Sequence, residues 1–175
     1  MGISRLIMKL KIRKWMKDGL TIGENVSIEN GCSIDPSFPW LITIGNNVTI
    51  APNVCILSHD ASMKYSNGKT KLGSVNIGNN VFIGTKSIIF PGVTIGDNVI
   101  IGAGSVVTRS ISGNSVVCGA PAMLISTFEQ FREKNELLLC NSIRYDRADV
   151  LNNNDIRLTM KEEMRERKFG YIDYK

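Results

Sequence analysis

The sequence has few of the residues on which several common kinds of protein depend. It contains a single histidine, His59, and its four cysteines lie far apart without a C-x-x-C pair. A zinc site needs several histidine or cysteine ligands, and a disulfide-stabilised scaffold needs a denser set of cysteines. We therefore expect no metal centre and reduced cysteine thiols.

Long apolar runs are also absent. The longest are a few residues, far short of the roughly 20 needed to span a bilayer, and residues 1–20 lack the continuous apolar segment of a signal peptide. These absences predict a cytoplasmic protein. Its 175 residues are typical of one domain that buries its own hydrophobic core.

Positive charge is concentrated at one end of the chain. The net charge is +5, and residues 1–18 account for all of it, with six basic side chains against Asp18. Because nucleic-acid binding needs basic residues spread over the body of a protein, no nucleic-acid partner is expected. Residues 3–17 are predicted to form a helix that either caps the domain or makes a peripheral contact with the inner face of a membrane.

Aliphatic residues recur every six positions through the middle of the chain. A six-residue period does not form one stripe on an α-helix, and the Gly-Asn-Asn and Gly-Asp-Asn triplets between them interrupt ordinary strands. The pattern predicts an all-β solenoid of about five coils over residues 22–111, in which each hexad is a short strand and a corner. The repeating residues are Ile22, Ile28, Ile34, Ile44, Ile50, Ile56, Ile77, Ile83, Ile89, Ile95, Ile101 and Val107.

The repeat resembles a known family. The stretch IGNNVTIAPNVCILSHDAS, the later IGNNVFIGTKSIIFPGVTIGDNVIIGAGSVVTRSI and the following GAP are similar to the hexapeptide acyltransferases, in the branch of the maltose, galactoside and polysaccharide O-acetyltransferases. The resemblance implies a left-handed parallel β-helix over residues 21–125, between an N-terminal segment (1–20) and a helical extension (126–175). It also implies acetyl-CoA as co-substrate and a homotrimer with active sites between neighbouring subunits.

The hexad frame breaks twice, and loops that leave a rigid scaffold often carry functional residues. Four residues are inserted between Ile34 and Ile44, and a lysine-containing excursion covers residues 58–76. His59 stands at the start of this excursion, where the resembled family has its catalytic base. Because an imidazole can remove a hydroxyl proton near neutral pH, we predict that His59 is the general base.

Four other residues near these breaks have alternative interpretations. Cys55 is a rival nucleophile, although a structural thiol within a strand is the favoured interpretation. Asp35 either orients acceptor hydroxyls, polarises His59 or begins a turn. Trp40 is a second candidate for acceptor binding, and Asp60 is expected to be a solvated loop residue.

The resemblance also implies how acetyl-CoA binds. The backbone N–H of Thr85 matches the position that faces the thioester carbonyl, and Ala103, Thr108 and Arg109 match positions along the pantetheine and phosphates.

The chain departs from the family after the GAP motif. Basic residues commonly hold the phosphates there, whereas this sequence has Met123 and Ser126. Either coenzyme A binds weakly, or Arg109, Lys86 or Arg132 holds the phosphates instead.

Together these features predict an acetyl-CoA-dependent O-acetyltransferase that acts by direct attack on a sugar hydroxyl, such as a capsular or lipopolysaccharide unit. One alternative is N-acetylation of an amino sugar or of a foreign compound such as an antibiotic. Another is a non-catalytic β-helix that serves as a scaffold.

Overall fold

The computed structural model describes residues 3–140, 142–167 and 169–174. The chain divides into two compact units, residues 1–128 and residues 129–175. This division lies close to the predicted end of the β-helix at residue 125.

The first unit begins with a helix and continues as a series of short strands. Helix α1 spans Ile3–Lys17, a 3₁₀ turn covers Pro39–Leu41, and the four-residue helix α2 spans Lys64–Asn67. The strands are, in chain order, β1 (Thr21–Ile22), β2 (Ser27–Ile28), β3 (Ser33–Ile34), β4 (Ile42–Ile44), β5 (Thr49–Ile50), β6 (Cys55–Ile56), β7 (His59–Asp60), β8 (Lys71–Leu72), β9 (Val75–Ile77), β10 (Val81–Ile83), β11 (Ile88–Ile89), β12 (Thr94–Ile95), β13 (Val99–Ile101), β14 (Val106–Val107), β15 (Ser115–Cys118) and β16 (Met123–Thr127).

Successive strands of the hexads belong to three different sheets, so three hexads complete one coil. Sheet 1 has the order β1-β4-β9-β12, sheet 2 has β2-β5-β10-β13-β15-β16, and sheet 3 has β3-β6-β11-β14. Neighbouring strands are parallel, except that β16 runs antiparallel to β15. Four complete coils are followed by a partial fifth, in which Ile111 bridges to Ile95 and β15 joins sheet 2. The predicted left-handed parallel β-helix is confirmed.

The repeated aliphatic side chains form the interior of the β-helix. Ile44, Ile50, Ile83 and Ile101 have no more than 1% of their surface exposed, and β10 alternates buried and exposed side chains along Val81–Ile83. Full burial of one aliphatic side chain contributes about 1.5–3 kcal/mol. The stacked aliphatics are therefore the main source of stability in this unit.

The three sheets form the sides of a triangular prism, and the chain turns at the three edges between them. Asparagines lie at the first edge, between sheets 1 and 2. Asn47, Asn80 and Asn98 have positive φ angles of 55°, a conformation that asparagine tolerates better than most residues. Their amides form a ladder between coils, with Nδ2–Oδ1 distances of 3.0 Å from Asn47 to Asn80 and from Asn80 to Asn98. The Gly-Asn-Asn and Gly-Asp-Asn triplets thus serve as corners.

Helix α1 packs on the β-helix through one of its apolar faces. Met8 and Trp15 are buried in the same core cluster as Ile34 and Ile44, and Ile12 is half-buried against it. Positions 8, 12 and 15 share one helical face because they are four and three residues apart. The helix predicted for residues 3–17 is thus present and packs on the β-helix, and its capping role stays a prediction.

The second unit differs from the expected helical extension because it also contains strands. Its elements are α3 (Phe128–Cys140, which begins at the last residue of the first unit), β17 (Ile143–Asp146), α4 (Arg147–Asn152), α5 (Asn154–Glu166) and β18 (Gly170–Asp173). Strands β17 and β18 pair in parallel, and Tyr145 donates a hydrogen bond to Glu163. Strands β17 and β18 are only four residues long and lie outside the hexad repeat. The six-residue period therefore could not predict them. Within the described ranges, no helix has the length and apolar character that crossing a bilayer requires.

Candidate active site

The site is built at the third edge of the prism, where the chain passes from sheet 3 to sheet 1. Asp35 directly follows β3, and its side chain is fully buried although it is acidic. Its Oδ1 accepts a hydrogen bond from the Ser37 amide at 3.0 Å. Its Oδ2 accepts one from the Ser58 amide at 3.0 Å and lies 2.9 Å from the Ser58 hydroxyl. Donors in the chain therefore satisfy this buried carboxylate.

His59 completes the set of donors around Asp35. Its Nδ1 lies 2.5 Å from Asp35 Oδ2, and the imidazole keeps 30% of its surface exposed. Because a carboxylate accepts hydrogen bonds, this contact assigns the proton of the neutral ring to Nδ1. The lone pair is then on Nε2. In this arrangement an imidazole can act as a base that a buried acid orients.

The hydrogen bonds keep Asp35 ionised. Burial acts to raise the pKa of this carboxyl group, but the hydrogen bonds from His59, Ser58 and Ser37 outweigh burial, and the pKa lies below its ordinary value. A negative charge next to Nδ1 stabilises the imidazolium that forms when Nε2 takes a proton.

Two aromatic residues of the first insertion extend the site. The ring of Phe38 lies edge-on to His59 with ring centroids 5.3 Å apart, and Trp40 lies edge-on to Phe38 at 5.6 Å. Trp40 has 57% of its surface exposed. The four inserted residues therefore place an accessible indole close to the histidine.

The excursion after β6 fixes the backbone of His59. Strand β7 pairs with β8 as an antiparallel hairpin in which His59 lies opposite Leu72 and Asp60 opposite Lys71. The Gly73 amide then donates to the carbonyl of Ser58 at 3.0 Å, which closes the excursion. Asp60 accepts from the Ser62 amide. It belongs to strand β7 and is partly buried, so it is not the solvated loop residue that the sequence predicted.

Thr85 and Ala103 lie on a different edge of the prism, between sheets 2 and 3. Both are exposed, and their backbone amides have no hydrogen-bond acceptor in the part of the chain that the structure describes. The chain approaches closely here, because a Cβ on Gly84 would lie 2.5 Å from the Ala103 nitrogen. These amides are available to a ligand, but on an edge that His59 does not share.

Thr108 and Arg109 lie on the same edge as His59, two coils further along, and both are exposed. Arg109 borders a surface cleft of about 280 Å³ that Met123 and Leu124 also line. Arg132 lies in α3 of the second unit, where it pairs with Glu129 at 2.6 Å.

Cys55 is a poor nucleophile in this environment. It lies in β6 and is half-buried. Burial raises the pKa of its thiol, and the negative charge of Asp35 raises it further. Because the thiolate is the nucleophilic form, this environment disfavours attack by Cys55.

Sequence reasoning missed Phe38 and Ser58 as parts of the site. Phe38 could have been predicted, because it is an aromatic residue within an insertion. No sequence feature marks Ser58, because the hexad frame is interrupted after Ile56. Among the described residues, no group of three or more histidine, cysteine, aspartate or glutamate side chains is placed to hold a metal ion.

Comparisons with known proteins show which proteins this chain is similar to. A family model described as the hexapeptide repeat of succinyl-transferase matches residues 74–109. The chain is 38% identical to protein CapG of Staphylococcus aureus over 180 residues, which cover 96% of this chain and 100% of that protein. It is 47% identical to galactoside O-acetyltransferase of Escherichia coli (strain K12) over 89 residues, 49% of this chain and 44% of that protein.

A solved structure shows the same likeness. The chain resembles a galactoside acetyltransferase in complex with coenzyme A, with a TM-score of 0.59 and 39% identity over 66% of this chain and 58% of that chain. The chain thus spans all of CapG but less than half of the E. coli galactoside O-acetyltransferase.

Proposed function

This chain belongs to the hexapeptide-repeat acetyltransferases, and we propose that it transfers an acetyl group from acetyl-CoA to a sugar hydroxyl with His59 as the general base. The observation that carries the proposal is the 2.5 Å contact between His59 Nδ1 and the buried carboxylate of Asp35. It leaves the Nε2 lone pair of a partly exposed ring to accept the hydroxyl proton.

The reaction follows from this assignment. The acceptor hydroxyl gives its proton to Nε2 while its oxygen attacks the thioester carbonyl carbon. A C–O bond forms, and the carbonyl π electrons move to oxygen. The intermediate then collapses with cleavage of the C–S bond, and the imidazolium returns the proton to the thiolate. The products are the O-acetyl sugar and free coenzyme A, without a covalent enzyme intermediate.

Asp35 acts in this scheme as a positioning residue. It was also expected as a possible acceptor-binding group, but its oxygens face Ser37, Ser58 and His59, and it is 1% exposed. A buried carboxylate with these partners holds the tautomer and orientation of His59 and stabilises its charged form.

Trp40 is the residue of this site best placed to meet the acceptor. Its exposed indole lies next to Phe38, which contacts the His59 ring. The apolar C–H faces of a sugar ring pack well on an aromatic surface, and this contact would leave the hydroxyl groups free to reach Nε2. We propose a sugar as acceptor, such as a capsular or lipopolysaccharide unit, and the likeness to galactoside O-acetyltransferase supports that class.

The donor side of the site requires a second copy of the chain. The free amides of Thr85 and Ala103 lie on a different edge from His59, so one subunit does not bring the base and these donors together. We propose a homotrimer in which the His59 edge of one subunit faces the Thr85 edge of the next. The Thr85 amide would stabilise the oxyanion, Ala103 would line the pantetheine, and Thr108 and Arg109 would contact the phosphates. Light scattering that returned a fully active monomer would contradict this assembly.

Thiol release from acetyl-CoA tests the function with a panel of sugar hydroxyl and amine acceptors. His59→Ala should lower turnover by about 10²–10⁴-fold, which is the usual contribution of a general base. Cys55→Ala is the matched control because it alters the rival nucleophile four residues away, and it should retain activity. Undiminished turnover in His59→Ala would refute the role of His59, and turnover with amines only would replace O-acetylation by N-acetylation. Absence of heat on calorimetric titration with coenzyme A would favour the alternative that the chain is a non-catalytic scaffold.

A further inference from the structure

Helix α1 carries a second apolar stripe that the β-helix does not cover. Leu6, Ile7 and Leu10 are 56%, 49% and 55% exposed. With 3.6 residues per turn, Leu6 and Leu10 lie roughly half a turn around the helix from Met8, and Ile7 flanks them. Helix α1 is therefore apolar on two sides, and the described part of the chain covers only the side of Met8.

Basic side chains continue this stripe along the helix. Arg13 and Lys17 follow Leu6 and Leu10 by seven positions, which places them on the same side two turns later. Lys14 pairs with Asp18 at 3.1 Å, whereas Arg13 and Lys17 have no ion-pair partner among the described residues. The face is thus apolar in its first half and cationic in its second.

We propose that this outer face of α1, formed by Leu6, Ile7, Leu10, Arg13 and Lys17, docks on the surface of an anionic lipid bilayer. An interfacial helix inserts its apolar side chains at the boundary of the acyl chains while arginine and lysine remain among the headgroups. The buried face of α1 keeps the helix attached to the β-helix, so docking requires no unfolding.

Charge complementarity selects the bilayer over other occupants. Each basic residue near an anionic leaflet contributes roughly fivefold to the binding constant, and the first 18 residues hold the entire net charge of +5. The same face of a second copy would bring like charges together, which is unfavourable. The inference does not depend on the proposed reaction, because α1 contains none of the residues assigned to acyl transfer.

Co-sedimentation of the full chain with vesicles tests the proposal. Vesicles of phosphatidylcholine with phosphatidylglycerol should bind the protein at low salt and release it at high salt, and vesicles of phosphatidylcholine alone should bind it weakly. Leu6→Ser/Leu10→Ser should weaken binding at least about tenfold through lost apolar burial. Arg13→Gln/Lys17→Gln should weaken binding roughly 25-fold through lost charge.

A matched control uses equally exposed leucines from another part of the chain. Leu151 and Leu158 in the second unit are 57% and 61% exposed, and Leu151→Ser/Leu158→Ser should bind vesicles as the wild type does. Thermal unfolding should verify that every variant remains folded, which is expected because the altered side chains are exposed.

Three results would overturn the proposal. The first is failure of the wild type to bind anionic vesicles, and the second is binding by Leu6→Ser/Leu10→Ser that equals binding by the wild type. The third is a smaller assembly of Leu6→Ser/Leu10→Ser in light scattering, which would show that the outer face of α1 binds a second copy of the chain. Thiol release with a soluble acceptor should be unchanged in these variants. Absence of thiol release in the wild type would refute the proposed reaction and leave the vesicle result standing.

Discussion

Replacement of Asp35 by asparagine removes the negative charge next to His59 and keeps the size of the side chain. In the wild type, three hydrogen-bond donors besides His59 Nδ1 surround the carboxylate, namely the Ser37 amide, the Ser58 amide and the Ser58 hydroxyl. An asparagine has only one oxygen, so one backbone N–H must face its NH₂ group. The charge is lost in either orientation of the amide.

The size of the effect follows from these contacts. A hydrogen bond to a charged group contributes about 1.5–3 kcal/mol, which corresponds to roughly 10–150-fold in rate when it stabilises the imidazolium of the transition state. If the NH₂ group of the asparagine faces Nδ1, the ring adopts the other tautomer and loses the Nε2 lone pair, a change that costs up to about 10⁴-fold. We therefore expect kcat of Asp35→Asn to fall at least about tenfold.

The split between kcat and KM separates this role from a structural one. Without a counter-charge the imidazolium of the transition state is less stable, so kcat of Asp35→Asn should fall while KM changes little. The matched control is Asp60→Asn, because Asp60 is adjacent to His59 but hydrogen-bonds to Ser62. The control should stay within about twofold of the wild type. An Asp35→Asn enzyme with wild-type kcat would refute the positioning role.

Stability should depend on pH in a direction that the pKa of Asp35 fixes. This pKa is lower in the folded chain than its ordinary value because the hydrogen bonds from His59 and Ser58 outweigh burial. Ionised Asp35 therefore stabilises the folded state fully above its ordinary pKa of about 3.9, and this stabilisation is lost as the pH falls through the lower folded value. The stability advantage of the wild type over Asp35→Asn should therefore shrink as the pH falls below about 4 in chemical denaturation.

Two further predictions concern the acceptor and the core. Trp40→Ala should raise KM for the sugar about threefold to tenfold with little change in kcat, because an exposed aromatic surface is lost. The control is Tyr65→Ala, because Tyr65 lies in the excursion and is 99% exposed. An equal rise in KM for Tyr65→Ala would contradict the role of Trp40 in acceptor binding. Ile44→Ala should lower the unfolding free energy by about 2–5 kcal/mol in chemical denaturation, because Ile44 is 1% exposed. The control is Thr43→Ala at the adjacent outward position, which should lower the unfolding free energy by less than about 1 kcal/mol. Equal losses in the two variants would contradict the assignment of Ile44 to the interior of the β-helix.

Local periodicity accounts for what was predictable about the fold. A residue that recurs every six positions occupies the same place in every coil, so Ile44, Ile50 and Ile83 could be assigned to the interior without a structure. The corner role of Asn47 and Asn80 followed in the same way, because glycine and asparagine tolerate a positive φ better than most residues. The second unit lacks such a repeat, and its pairing of β17 with β18 was not predicted.

The site was only partly predictable. The single histidine and the break in the hexad frame pointed to His59. Asp35 remained open among three roles, because 24 residues and an insertion separate it from His59. The stacking of β3 on β6 brings these two residues together, since the chain leaves both strands at the same edge of the prism.

Helix α1 illustrates the same limit. Its sequence contains two sets of apolar side chains at helical spacing, one with Leu6 and Leu10 and one with Met8 and Trp15, and a helix by itself gives no reason to bury one set before the other. The β-helix surface buries Met8 and Trp15 and leaves the leucines exposed.

The sequence by itself determined the repeating coils, the residues inside them and the candidate for the general base, because each depends on local spacing or on a residue that occurs once. Only the tertiary structure decided which acid contacts His59, which face of α1 is buried, and that Thr85 and Ala103 lie on another edge. These features depend on contacts between residues far apart in sequence, and such contacts arise only when the coils stack in register.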